Sequence, residues 1–217
     1  MVETATGIVL RTRLLTETSL IIQWLTPNLG RLATVAKGAR RPKSPFRGKL
    51  DLFYLADFSF SRSPRSELHN LREVSLRETH SALRQELTYL QQASYCANLV
   101  EVATETETPL EAVYELFRRF LEAMIERETQ PQTVLAFELK LLAELGLQPD
   151  LEPSQLTPGA KGIVRLLSTA DWPVIQQLRL SPAQTAELRR FLHDFLVFHL
   201  GHLAKGREAA LSGTAST

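Results

Sequence analysis

Five short runs of β-branched, aromatic and leucine residues fill the first 78 positions: TGIVLRTRLL, SLIIQWLT, GRLATVAKG, DLFYLADFSFSR and ELHNLREVSL. Turn-forming residues separate them, most plainly Pro27-Asn28-Leu29-Gly30. Helical spacing is missing from most of this region. Runs of this kind predict strands, and five strands in so short a span predict a small barrel or sandwich. A five-stranded barrel of the OB type fits the count. That fold often binds single-stranded nucleic acid, although fold alone does not establish function.

From about Ser81 the apolar period changes from two to three-and-four. LTYLQQASYCANLVEVA places Leu87, Leu90, Ala93, Ala97 and Val100 on one helical face. Thr108-Pro109 predicts a second helix start, with Thr108 as N-cap and Pro109 in the first turn. Leu110, Val113, Leu116, Phe117, Phe120 and Leu121 form its apolar stripe. Pro131 opens a third helix that Gly146 ends, and residues 147–157 connect it to two short helices, TPGAKGIVRLLS and WPVIQQL. Ser181-Pro182 starts a long last helix carrying Leu188, Phe191, Leu192, Phe195 and Leu196. The predicted class is α+β: an N-terminal OB-type barrel over 1–79, an all-helical domain over 80–203, and a small, polar, disordered tail over 204–217.

Charge sharpens this division. The chain of 217 residues is nearly neutral at +1, yet residues 1–80 hold 13 Lys and Arg against 7 Asp and Glu, while the remainder is net acidic. Residues 18–50 contain no acid and seven cations: Arg31, Lys37, Arg40, Arg41, Lys43, Arg47 and Lys49. Six of the seven fall in KGARRPKSPFRGK, from Lys37 to Lys49. Gly38, Pro42, Pro45 and Gly48 make this segment a loop. A one-sign field on a loop with one aromatic, Phe46, suits a polyanion such as nucleic acid. A solvated charged loop is the plain alternative.

Signals for catalysis are missing. The sequence has no GxSxG elbow and no GxxxxGK[ST] phosphate loop. The acids of ATETETPLE are irregularly spaced around a helix break, as a solvated surface would be. His199 and His202 are three apart near the end of the last helix, where histidines suit the helix dipole, and they are not read as metal ligands. The single cysteine, Cys96, lies in an apolar helical pattern and reads as a buried structural thiol. No run approaches the ~18 apolar residues that span a bilayer. The N-terminus lacks the basic and apolar regions of a signal peptide. A binding protein without cofactor or metal, in a reduced cytoplasm, is the expectation.

The run GRLATVAKGARRPKSPFRGKLDLF, Gly30 to Phe53, resembles the signature of the RecO family of bacterial recombinational-repair proteins. The opening TGIVLRTRLLTETSLIIQWLTPNLGR resembles the family's start. FELKLLAELGLQPDL, Phe137 to Leu151, resembles its central helix and exit. The resemblance covers about residues 2–203. It implies an N-terminal OB domain, a helical C-terminal domain and no catalytic turnover. It also implies binding to single- and double-stranded DNA and annealing of complementary strands. Binding to RecR and to single-stranded-DNA-binding protein (SSB), and help in loading RecA recombinase onto SSB-coated DNA, belong to the same set.

Carried across, the DNA-binding candidates are Lys37, Arg40, Arg41, Lys43 and Arg47, with Arg31 and Lys49 flanking them. An acidic, phenylalanine-ending SSB tail needs an apolar slot with a cation at its rim, and Arg118, Arg119, Lys140 and Arg165 are the candidates in the helical part. Many members insert two CxxC pairs after the exit. Here Pro149 to Pro153 runs almost directly into LTPGAKGIVRLL, so a zinc-free chain is expected.

The reading is a non-enzymatic DNA-repair mediator, nucleoid-associated during repair, that captures phosphates on the basic loop and stacks bases on exposed barrel aromatics. An RNA-binding OB protein of translation or ribosome assembly is the first alternative. A helical scaffold whose basic loop only sets solubility is the second.

Overall fold

Residues 1–125 and 130–212 are described by the structure, a computed structural model. Its first five elements are strands β1 (Val2–Leu14), β2 (Leu20–Thr26), β3 (Gly30–Ala36), β4 (Leu55–Ser61) and β5 (Leu68–Glu78). They close into a barrel in the order β1-β2-β3-β5-β4, the five-stranded OB arrangement. All neighbours are antiparallel except β3 and β5, which pair in parallel from Ala33 opposite Leu68 to Val35 opposite Asn70. Alternation does the sorting along each strand. Val9, Ile22, Trp24, Leu32, Phe58, Phe60 and Val74 turn inward. Trp24 stacks on Phe58 with ring centroids 4.1 Å apart, and its indole N–H donates to Thr34 Oγ1 at 2.8 Å. The buried indole therefore keeps a hydrogen-bond partner.

The helices are α1 (Leu87–Ala103), α2 (Glu111–Met124), α3 (Pro131–Glu144), α4 (Pro158–Thr169), α5 (Trp172–Gln177), α6 (Pro182–Leu200) and α7 (Arg207–Leu211). A short 3-10 turn, Ser81–Arg84, precedes α1. Thr157 caps α4, and a capping box between Ser181 and Gln184 starts α6.

The structure divides into two compact units with interleaved sequence. Met1–Ser81 and Thr104–Glu115 form one; Ala82–Ala103 and the chain from Leu116 onward form the other. This differs from the single expected boundary at residue 79, and the reason is local. Because β3 meets β5 only from Ala33 onward, the Arg31 end of β3 has an open edge. Thr106 pairs in parallel with Arg31 there, and the Glu107 N–H donates to the Arg31 carbonyl at 2.7 Å. Glu107 then accepts from Arg62 Nη1 at 2.6 Å and lies 2.7 Å from His69 Nε2. Burial works to raise the Glu107 carboxyl, but these hydrogen bonds outweigh it and hold the group below its ordinary value. Gly30 makes the close approach possible: a Cβ there would sit 1.8 Å from the Thr108 carbonyl oxygen, at a φ of +65°. Thr108-Pro109 does not start a helix, and α2 begins at Glu111.

The helical unit has an aromatic core in which Phe120 lies 4.7 Å and Phe117 6.0 Å from the Phe137 ring. Beside it is a buried polar knot. Arg207 grips Glu138 with both ends of its guanidinium, Nε to Oε1 at 2.7 Å and Nη2 to Oε2 at 2.9 Å. The Tyr95 hydroxyl donates to Glu138 Oε1 at 2.5 Å. Arg207 and Glu138 are both almost wholly enclosed. Residues 204–211 are therefore not the disordered tail the sequence suggests: Arg207, Ala210 and Leu211 are buried parts of the unit. Positions 213–217 of that expected tail lie outside the described residues. Cys96 is fully buried, and that burial, with Glu138 adding to it, pushes its thiol well above the ordinary range.

Candidate nucleic-acid interface

The basic segment is a loop, as its glycines and prolines require, but an ordered one. It crosses from the end of β3 to the start of β4 as consecutive turns. The N–H of Arg41 donates to Gly38, that of Ser44 to Arg41, that of Arg47 to Ser44 and that of Lys49 to Phe46, at 3.0–3.2 Å. Gly48, at a φ of +72°, makes a reversal that other residues resist. Two further bonds tie the loop to the β1–β2 turn: Arg40 N–H to the Thr18 carbonyl at 3.0 Å, and Arg40 Nη1 to the Glu17 carbonyl at 2.9 Å. From beneath, Ala39 and Phe46 insert into the barrel core.

This arrangement splits the eight candidates. Lys37, Arg40, Arg41, Lys43 and Arg47 are exposed. Among the described residues none of the five forms an ion pair. Lys37, Arg41 and Lys43 make no side-chain hydrogen bond, while Arg40 and Arg47 reach only main-chain carbonyls. Arg40, Arg41 and Arg47 share a hollow of about 400 Å³ with Pro42 and Gly48. The other three candidates serve the fold. Arg31 donates from Nε to Thr104 Oγ1 at 2.8 Å and from Nη2 to the Thr104 carbonyl at 2.5 Å, clamping the strap. Lys49 Nζ donates to the Val74 carbonyl at 3.2 Å. Phe46, only 7% exposed, is a core residue and offers no face to a base.

The expected exposed aromatics are not on this surface either. Trp24, Phe46, Phe53, Phe58, Phe60 and Tyr114 are buried, and Tyr54 packs half-buried against the barrel core.

In the helical unit the four suggested cations have other duties or surroundings. Arg118 pairs with Glu122 at 2.5 Å, and Arg165 with Glu152 at 3.3 Å. Lys140 donates to the Ser168 carbonyl at 3.3 Å and sits 5.7 Å from the Trp172 ring centre. Burial lowers its ammonium below the usual value. Arg119 is exposed on α2. The sequence pattern does not reveal a cleft of about 870 Å³ beside α6, where Arg179 and Arg190 meet Leu180, Pro182 and Ala186. Both arginines are exposed, and neither forms an ion pair or side-chain hydrogen bond among the described residues. The one sequence signal was an arginine at the outward position of an amphipathic helix, which does not tell paired from unpaired cations.

Residues 1–80 match the family model described as Recombination protein O N terminal, and residues 84–154 match Recombination protein O C terminal. The chain belongs to the RecO family. RecO relatives carry the name DNA repair protein RecO. The one from Exiguobacterium sibiricum is 34% identical over 151 residues, covering 70% of this chain and 60% of the relative. That from Rhodopirellula baltica is 38% identical over 146 residues, covering 66% and 53%. A RecO from Anaeromyxobacter sp. strain K is 28% identical over 236 aligned positions, with 93% of each chain covered. The matches to the first two thus span little more than half of those relatives. Among the described residues no helix is long and apolar enough to cross a membrane, and no group of three or more His, Cys, Asp or Glu residues could hold a metal ion.

Proposed function

We propose that this chain is a non-catalytic repair mediator that captures single- and double-stranded DNA on the basic loop. It anneals complementary strands and helps RecA replace SSB, with RecR as a further partner. The observation that carries the reading is the set of five exposed cations without a carboxylate partner, held on a loop that hydrogen-bonded turns keep ordered. The loop backbone is already ordered before a phosphate arrives, and the counterions that its cations displace drive binding.

The test is the triple variant Lys37→Ala/Arg40→Ala/Arg41→Ala. Each phosphate that is no longer neutralised on a single strand lowers the log–log salt slope by about 0.7, so the variant is expected to show a slope smaller by about 2 units. Lys37 and Arg41 are exposed, so removing each is expected to shift stability by no more than about ±0.5 kcal/mol, and Arg40→Ala, which gives up the bond to the Glu17 carbonyl, by about 1 kcal/mol. A fluorescence titration across a salt series and a melting curve on the same preparation check both. An unchanged slope in a folded variant removes the basic loop from the interface.

The SSB tail is assigned to the helical unit. Its acidic residues and terminal phenylalanine suit the cleft that combines Arg179 and Arg190 with Leu180 and Pro182. Losing a charge-assisted hydrogen bond costs about 1.5–3 kcal/mol. Arg179→Ala/Arg190→Ala is therefore expected to weaken binding of the tail peptide at least tenfold in calorimetry on the full chain, while the DNA salt slope stays the same. Unchanged peptide affinity moves the partner site elsewhere.

A further inference from the structure

The surface on which OB barrels ordinarily lay a strand is the outer face of their second and third strands, with aromatic rings as stacking platforms. Here that face offers little open surface. No residue of β2 or β3 is exposed, and five of the seven in each strand are buried. Ile21, Leu25 and Val35 are buried, as are the inward-facing Ile22 and Leu32. Every aromatic ring of this unit is in or against the apolar core. The loop's own apolar side chains, Ala39 and Phe46, are committed to that core as well. What the loop presents outward is Lys37, Arg40, Arg41, Lys43 and Arg47, with prolines and glycine between them.

We propose that the loop holds a strand by its phosphates alone and leaves the bases turned outward, open to pairing. This rests on the basic loop being the DNA site and adds what that site recognises: a phosphodiester backbone of any sequence, with or without bases. The chemistry of the surface favours this mode. Ammonium and guanidinium groups match phosphate oxygens, and no aromatic ring of the barrel unit is exposed. A strand gripped in this way keeps its hydrogen-bonding edges accessible to a complement. A stacking platform would instead withdraw one face of each base.

The test uses the full chain and three labelled single strands of one length: mixed-sequence DNA, the same backbone without bases, and the same sequence with methylphosphonate linkages. One base stacked on a protein ring is worth about fivefold or more in affinity. The abasic strand is expected to bind within fivefold of the ordinary one, with the same salt slope. The methylphosphonate strand is expected to bind at least tenfold more weakly, with a nearly flat slope. An abasic strand weaker by fivefold or more, alongside a methylphosphonate strand that still fails to bind, overturns the phosphate-only grip and leaves the loop as the DNA site. A methylphosphonate strand that binds as well as ordinary DNA overturns both.

Discussion

Replacing Arg207 with methionine is expected to destabilise the helical unit by about 3–5 kcal/mol, the usual consequence of leaving one member of a buried ion pair alone. Glu138 has no solvent to fall back on. It would keep the Tyr95 hydroxyl as a donor but lose two guanidinium hydrogen bonds. Urea denaturation followed by circular dichroism measures the loss. The double variant Glu138→Met/Arg207→Met gives the contrast, because replacing a buried pair by apolar side chains of similar volume is often neutral or stabilising. It is expected to recover most of what the single variant loses. A single variant within about 1 kcal/mol of the parent would show that water reaches Glu138. Truncation before residue 207 is expected to cost more than the single variant, since it removes the buried Ala210 and Leu211 along with the guanidinium.

The second large effect is at Phe46. Its ring lies under the basic loop and packs on the barrel core, so Phe46→Ala is expected to cost about 3 kcal/mol. Phe46→Leu, which keeps much of the volume, is expected to cost less than about 1.5 kcal/mol. The decisive comparison is between stability and DNA binding. In the Phe46→Leu variant the salt slope and affinity for single-stranded DNA are expected to equal those of the parent. A stable Phe46→Leu protein with weakened DNA binding would put the ring back at the interface, where the sequence pattern places it.

Phe46 and the strands around it show what a linear sequence reveals. The strands were legible because each carries its own alternation and its own turn, and the barrel followed from their number. The basic loop was legible because like charges close in sequence stay close in space. Phe46 was not, because nothing local says whether a ring among cations faces water or a core assembled from five strands. Arg31 looked like part of the cation cluster, yet its partner is Thr104, 73 residues away. The same distance effect hid Arg207, whose carboxylate lies 69 residues upstream, and it turned a polar-looking tail into a structural one. Thr108-Pro109 satisfied the local rules for a helix start. The open edge of β3 overrode them, since pairing there also satisfies backbone groups.

The strap over β3 also bears on how such a protein can be taken apart and recombined. The polypeptide passes between its two compact units three times, at residues 81, 103 and 115. A gene segment ending near residue 80 therefore encodes a barrel without the piece that closes its β3 edge, and the complementary segment carries that piece away from its seat. Exchange of the barrel between relatives needs two coding segments to move together, and inheritance of the whole as one block is the simpler route.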